Sequence, residues 1–416
     1  MRFSLRKWLQ IALFNLMLVA FIGVILRYKI AYSLPFVNQK NLLHGHSHFA
    51  FSGWITQVLM ALLVADLSET SEENYFNKYR WILYANLLTA YGMLFSFPFQ
   101  GYGDVSIVFS TLSIFVSYIF AVSYWKDMNR LPGIHASHPW FKVALLGNVI
   151  SSIGPFSLAY MMASRNIHQN WYLASIYFFL HFQYNIWFLF TCLGLLVGRL
   201  SKLIISWSSL KWMFQFFAIA SLPTFFLSVL WWPIPEWLYS VVVIAAVFQL
   251  IGWIIFIRFI KINKKEIKKH IPLFSAILFL FSGIAFSIKL CLQAGSVIPS
   301  LSRLAFGFRP VVIGYLHLVL LGVITIFIIS FIVAYQMISV NKWCRTGISV
   351  FITGIFLNEL LLMIQGVSDL QYEGVPYINV FLLFAAVILF SGMFIMVFGQ
   401  IFRKDDLNHK SYERIG

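Results

Sequence analysis

Charge is what this chain has least of. Only 11% of its 416 residues are Asp, Glu, Lys or Arg, where a soluble domain carries about 25%. Hydrophobic residues make up 60%, Phe alone contributes 44, and mean hydropathy is +0.83. A water-soluble chain of this make-up would lack the polar surface to cover its apolar mass. Acidic residues are the scarcer sign, 14 against 30 basic ones, for a net charge of +16. Here the charges fall between apolar runs, so membrane topology and anionic lipid account for the excess, and nucleic-acid binding is excluded. Cysteine is nearly absent: Cys192, Cys291 and Cys344 form no CxxC or CxxCH. That excludes covalent c-type haem attachment and argues against a disulfide or zinc framework. No A-x-A-like cleavage site follows the basic start (Arg2, Arg6, Lys7) and its apolar run, so this segment is expected to remain as the first helix.

What the chain has in abundance is apolar runs near 20 residues, the length that crosses a bilayer as a helix. Twelve spans are predicted, at roughly 9–29, 42–66, 79–99, 104–125, 140–163, 168–198, 211–232, 236–260, 271–293, 309–336, 346–365 and 376–400. The expected fold is therefore all-α, one polytopic transmembrane domain over residues 1–416. No internal repeat is obvious, so the paired halves of many transporters are not visible. With the N-terminus inside, 23 of the 30 basic residues fall on the inner side and seven elsewhere. This places both termini in the cytoplasm and fits a bacterial cytoplasmic membrane. Pro155, after Gly154, is expected to kink helix 5.

Of ten histidines, His135, His138, His270 and His409 lie in inner loops or the tail and read as solvated. His44, His46 and His48 lie in helix 2, His168 and His181 in helix 6, and His317 in helix 10. Ionisable side chains within spans are costly and face an interior site, and neutral imidazole is the commonest protein metal ligand. Helices 2, 6 and 10 all enter from the outer face. His48 and His317 differ in depth by roughly 3 Å at 1.5 Å per residue. Two imidazoles at one depth on separate helices can clamp a planar macrocycle, and bis-imidazole ligation leaves a low-spin iron suited to electron transfer. His44 and His48 share a helix face while His46 points elsewhere, so spacing alone lets either of the first two ligate.

These residues resemble subunit I of the haem-copper oxidase superfamily, which includes cytochrome and quinol oxidases and the nitric oxide reductase large subunit. In helix 2, His46-Ser-His48-Phe-Ala-Phe-Ser-Gly-Trp54 is similar to an HxHLxLxGW pattern. In helix 10, Gly314-Tyr315-Leu316-His317 is similar to G-H-x-H. In helix 6, the stretch from His181 to Trp187 is similar to that bearing the first copper ligand. Pro233-Ile-Pro235-Glu-Trp237 is similar to the turn after the paired copper histidines. The resemblance implies a twelve-helix bundle, a low-spin b-type haem on His48 and His317, and a residual copper-site position at His181. It also implies a respiratory oxidoreductase setting with a quinone or a redox protein as partner. The departures are as informative. Helix 7 has no histidine, its pair falling near Leu227 and Ser228, and Tyr315 replaces the high-spin haem ligand. One histidine cannot hold copper, which needs about three nitrogen ligands. Copper is therefore not expected, and whether the chain is an enzyme stays open. Tyr315 reads as a packed, hydrogen-bonded tyrosine, although Tyr can ligate haem iron.

Other polar residues stand within the predicted spans. Lys289 and Gln293 share a face of helix 9; Asn358, Glu359 and Gln365 lie in helix 11. A buried Lys and Glu are most tolerable as a pair, so Lys289 is expected to face Glu359. Arg309 opens helix 10 about 12 Å along the axis from His317, which suits a haem propionate or an interfacial anchor. The expected function is electron transfer, or sensing or handling of a gas or quinone. Two alternatives remain at this stage: an active oxidase or nitric oxide reductase with its ligands elsewhere, and a cofactor-free transporter or assembly factor.

Overall fold

In the computed structural model of the chain, residues 2–204 and 208–401 are described; His409 lies outside them. The twelve expected spans are all present as helices, and no strand occurs among the described residues. They are α1 (Leu5–Ala31), α2 (Gln39–Ser71), α3 (Phe76–Gln100), α4 (Asp104–Met128), α5 (His138–Ala163) and α6 (Gln169–Leu203). α7 is Ser208–Ser221 bent by 47° into Pro223–Val229. Then come α8 (Glu236–Ile262), α9 (Leu273–Gly295), α10 (Arg309–Ala334), α11 (Lys342–Leu370) and α12 (Ile378–Gln400). Eleven are long and apolar enough to cross a membrane singly, and α7 makes a twelfth if its bent halves act as one span. The protein is thus an all-α polytopic membrane bundle.

Local chemistry sets the ends and bends. Asn38 caps α2 by accepting from the Asn41 amide at 3.0 Å, and Asn341 caps α11 by accepting from Cys344 at 2.8 Å. α5 is interrupted at Ser152, beside the Ser151 carbonyl that the missing N–H of Pro155 leaves free. Gly154 sits where a Cβ would meet the Ser175 carbonyl at 2.4 Å, so only glycine lets α5 approach α6 this closely. α7 bends at Leu222, just before Pro223.

Neighbours in sequence pack as neighbours in space, and α12 returns to pack on α1. The tightest seam joins α11 to α12, where a Cβ on Gly392 would meet the Phe351 amide at 2.4 Å. Inside this ring stand α2, α6 and α10. Their apolar windows are 83%, 72% and 72% buried, against 22–44% for the other single-helix spans. They are pinned to one another: the Trp54 indole donates to Thr325 Oγ1 at 3.0 Å and the Trp187 indole to Thr56 Oγ1 at 3.4 Å. At the inner end Arg199 of α6 binds Glu69 of α2 through two guanidinium nitrogens, with Lys202 beside them. Arg199 also lies over the Tyr335 ring at 4.8 Å, just past α10.

Each of the three central helices carries a π-helical stretch: Ala50–Thr56 in α2, His181–Phe188 in α6 and Leu318–Thr325 in α10. Single-turn π insertions are rare and concentrate at functional sites. Here each begins at or within two residues of a histidine: His48, His181 and His317. Every fourth helix is therefore central, π-wound and histidine-bearing. This recurrence is carried by backbone geometry and placement, which is why no self-similarity of residues displays it.

Candidate cofactor site

The π-helical stretches divide the central helices into two halves of different character. Inward of them residues 52–65, 181–197 and 322–334 are all buried. Outward of them the packing opens. Arg309–His317 contains no buried residue although α10 is a central helix. Gln169–Leu180 buries only Ala174 and Ser175, and Gln39–Phe49 only Leu42, Gly45 and Phe49. A helix walled by neighbours yet open around its circumference borders space that side chains do not fill.

Into this outer half α2 and α10 each send one imidazole. His46 and His317 are close enough to interact electrostatically. His317 Nδ1 donates to its own-turn Ile313 carbonyl at 2.9 Å, which fixes its tautomer and leaves Nε2 unused. The His46 ring lies near Val19 of α1, and its Nδ1 is buried without a partner. Gly23, also on α1, stands 3.7 Å from the His46 ring at its Cβ position, which leaves the ring its room. His317 is thus anchored through Nδ1 and has Nε2 to spare, as metal-ligating histidines do, and His46 offers an unpartnered Nδ1.

Two guanidinium groups border the pair. Arg27 of α1 interacts with Glu359 of α11 and with Arg309 of α10, and its charge is felt at both His46 and His317. Glu359 accepts a hydrogen bond from Asn358 at 3.1 Å. Arg27, His46, His317 and Arg309, from α1, α2 and α10, thus lie near one another, with the Glu359 carboxylate of α11 near Arg27. That set can receive a planar group carrying acidic substituents.

The remaining expected residues lie elsewhere. His48 stacks on Phe97 with ring centroids 4.5 Å apart and planes 8° off parallel, and its Nε2 meets the Tyr102 hydroxyl at 3.3 Å. His44 packs edge-on against the same Tyr102 at 4.7 Å, its Nε2 buried without a partner. Both therefore face α3, and the structure brings His46 rather than His48 towards His317. His181 uses both ring nitrogens: Nε2 donates to the Ser221 carbonyl at 2.8 Å, and Nδ1 accepts from Asn185 at 3.1 Å. Ser221 is the last residue before the α7 bend, so His181 satisfies a carbonyl exposed by that break. Tyr315 packs against Tyr184 with centroids 6.4 Å apart. Lys289 does not pair with Glu359. Its ammonium has no hydrogen-bond partner, lies over Phe286 at 5.4 Å, and is felt at His181. Glu359 looks instead to Arg27, on the other side of the bundle. Gln293 Oε1 is also buried and unpartnered.

Arg27 is the functional candidate that motif reading misses. A signal for it exists: it is one of the seven basic residues on or near the outer side, against the positive-inside pattern. Arg309 and Lys289 are two of the other six. Among the described residues no three His, Cys, Asp or Glu side chains gather into a metal-ligand group. What the histidines offer is a two-imidazole site. No family model matches the chain, and no curated protein matches it.

Proposed function

We propose that this protein holds one b-type haem between α2 and α10, with His46 and His317 as axial ligands, and transfers single electrons in a bacterial cytoplasmic membrane. The observation that carries the reading is the pair of imidazoles on separate central helices. They interact electrostatically with each other; His317 is anchored on backbone through Nδ1, and His46 Nδ1 is buried without a partner. The loosely packed outer half of α10 supplies the space. When bound, the haem would be held by His46 and His317 and would supply a one-electron iron couple.

The chain's own residues do the rest. Ile313 holds the His317 imidazole in orientation through its hydrogen bond. Arg27 and Arg309 bind the propionates and counter their charge on the outer side. Glu359 holds Arg27 in place electrostatically. Aliphatic walls from the packed inner half exclude water below the site. Closed axial positions favour electron transfer over gas binding, with a quinone or a redox protein as the exchange partner.

The test is a substitution series on detergent-purified protein. His317→Ala and His46→Ala each abolish the haem absorption of the wild type. Retention of the full spectrum in both variants would refute the ligand pair.

A further inference from the structure

We propose a second ligand site, between α6, α7, α8 and α9, that binds a small monovalent anion on the ammonium of Lys289. It is independent of the haem pair and lies against a different set of helices.

Lys289 is 2% exposed, and its Nζ is buried with no hydrogen-bond partner. It stands six residues inside the outer end of α9, yet it does not snorkel to water. Around it are further polar atoms without partners. Gln293 Oε1, one turn outward on the same face, is one; Gln249 Oε1 on α8 is another. Two contacts pin α8 against α9. Tyr239 donates to the Val297 carbonyl at 3.1 Å, and Trp253 donates to Ser287 at 2.8 Å while its ring meets Phe286 at 4.7 Å. Gln249 is one turn outward of Trp253, and Lys289 one turn outward of Phe286. The two antiparallel helices therefore bring them to the same level. Gln249 Nε2 bonds Thr224 at 3.3 Å, and Thr224 in turn donates to the Ser221 carbonyl at 3.3 Å, the acceptor that also takes His181. Lys289 is felt at His181. Four helices thus converge on one desolvated ammonium.

An uncompensated buried charge is strongly disfavoured, and the remedy is a counter-charge. The chain has none to give. From Gln169 to Ala334, which covers α6 to α10, the acidic residues are Glu236 and Glu266 alone. Glu236 opens α8 at the outer surface, 13 residues or roughly 20 Å along the helix from Gln249. Glu266 lies beyond the inner end of α8, bonded to Lys269 at 2.7 Å. Glu359 is engaged with Arg27. In the protonated state of Lys289 the counter-charge therefore comes from solution. The aromatic and aliphatic walls limit the ligand to a halide or a triatomic anion.

The test uses purified protein exchanged into gluconate buffer and titrated with sodium bromide at constant ionic strength, following the thermal unfolding midpoint. The wild type shows a saturable rise. Lys289→Met abolishes the rise, Lys289→Arg keeps it, and Gln293→Leu weakens the apparent affinity several-fold. An equal response in wild type and Lys289→Met, or no saturable response in the wild type, overturns the site. If the Met variant does not fold, bromine-81 line broadening on the wild type decides: broadening that nitrite displaces supports the site, and its absence refutes it. The response persists in His317→Ala, which carries no haem; its loss there would refute independence from the haem pair.

Discussion

Below their π-helical turns α2, α6 and α10 are packed solid, with unbroken buried runs of 13 to 17 residues. Above those turns the same helices are open, and α10 has no buried residue from Arg309 to His317. The inner half is held by apolar contact, two indole–threonine hydrogen bonds and the Arg199–Glu69 bridge. In the outer half His46, His44, Lys289 and Gln293 carry buried polar atoms without partners, and the inner half has such atoms on Gln57, Asn185 and Arg199. Burial along the central helices is continuous at one end and sparse at the other, and the sparse end carries the imidazoles of His44 and His46.

Substitutions can break or sharpen that contrast. The largest effect is complete loss of haem absorption in His317→Ala and His46→Ala, read by difference spectroscopy. His48→Ala keeps the spectrum, because its ring belongs to the Phe97 and Tyr102 cluster. A reversed outcome for His46 and His48 would move the ligand by two residues and the site to the α3 side. In the inner half, Trp54→Ala removes a fully buried indole and its bond to Thr325. It should cost about 3–5 kcal/mol, measured by denaturant-driven loss of helicity. His181→Ala should cost about 1–3 kcal/mol by removing its hydrogen bonds to the Ser221 carbonyl and Asn185, and leave the haem spectrum unchanged. The smallest effect is Arg27→Gln, which should keep the spectral type and weaken haem retention about tenfold, read by transfer to apomyoglobin.

The spans are readable because apolar run length is a one-dimensional signal. The expected boundaries fall within five residues of those observed, the bent α7 included. The central role of α2, α6 and α10 was signalled by intramembrane histidines. Rotation about a helix axis was harder to read. Spacing correctly separates the face of His44 and His48 from that of His46, but it does not say which face meets α10. That depends on the π-helical turn that begins at Ala50, which shifts the phase relative to the inner half of the same helix. The expected Lys289–Glu359 pair fails for a related reason. Charge complementarity along the chain says nothing of where α9 and α11 stand around the ring, and the Arg27 that faces Glu359 comes from α1.

The measurement that bears most directly on the central claim is an oxidised and dithionite-reduced absorption spectrum of the detergent-purified wild type, with iron quantified on the same sample. The account predicts a sharp reduced b-type band at about one iron per chain. A colourless, iron-free protein, unchanged by haem supplementation during expression, would contradict it.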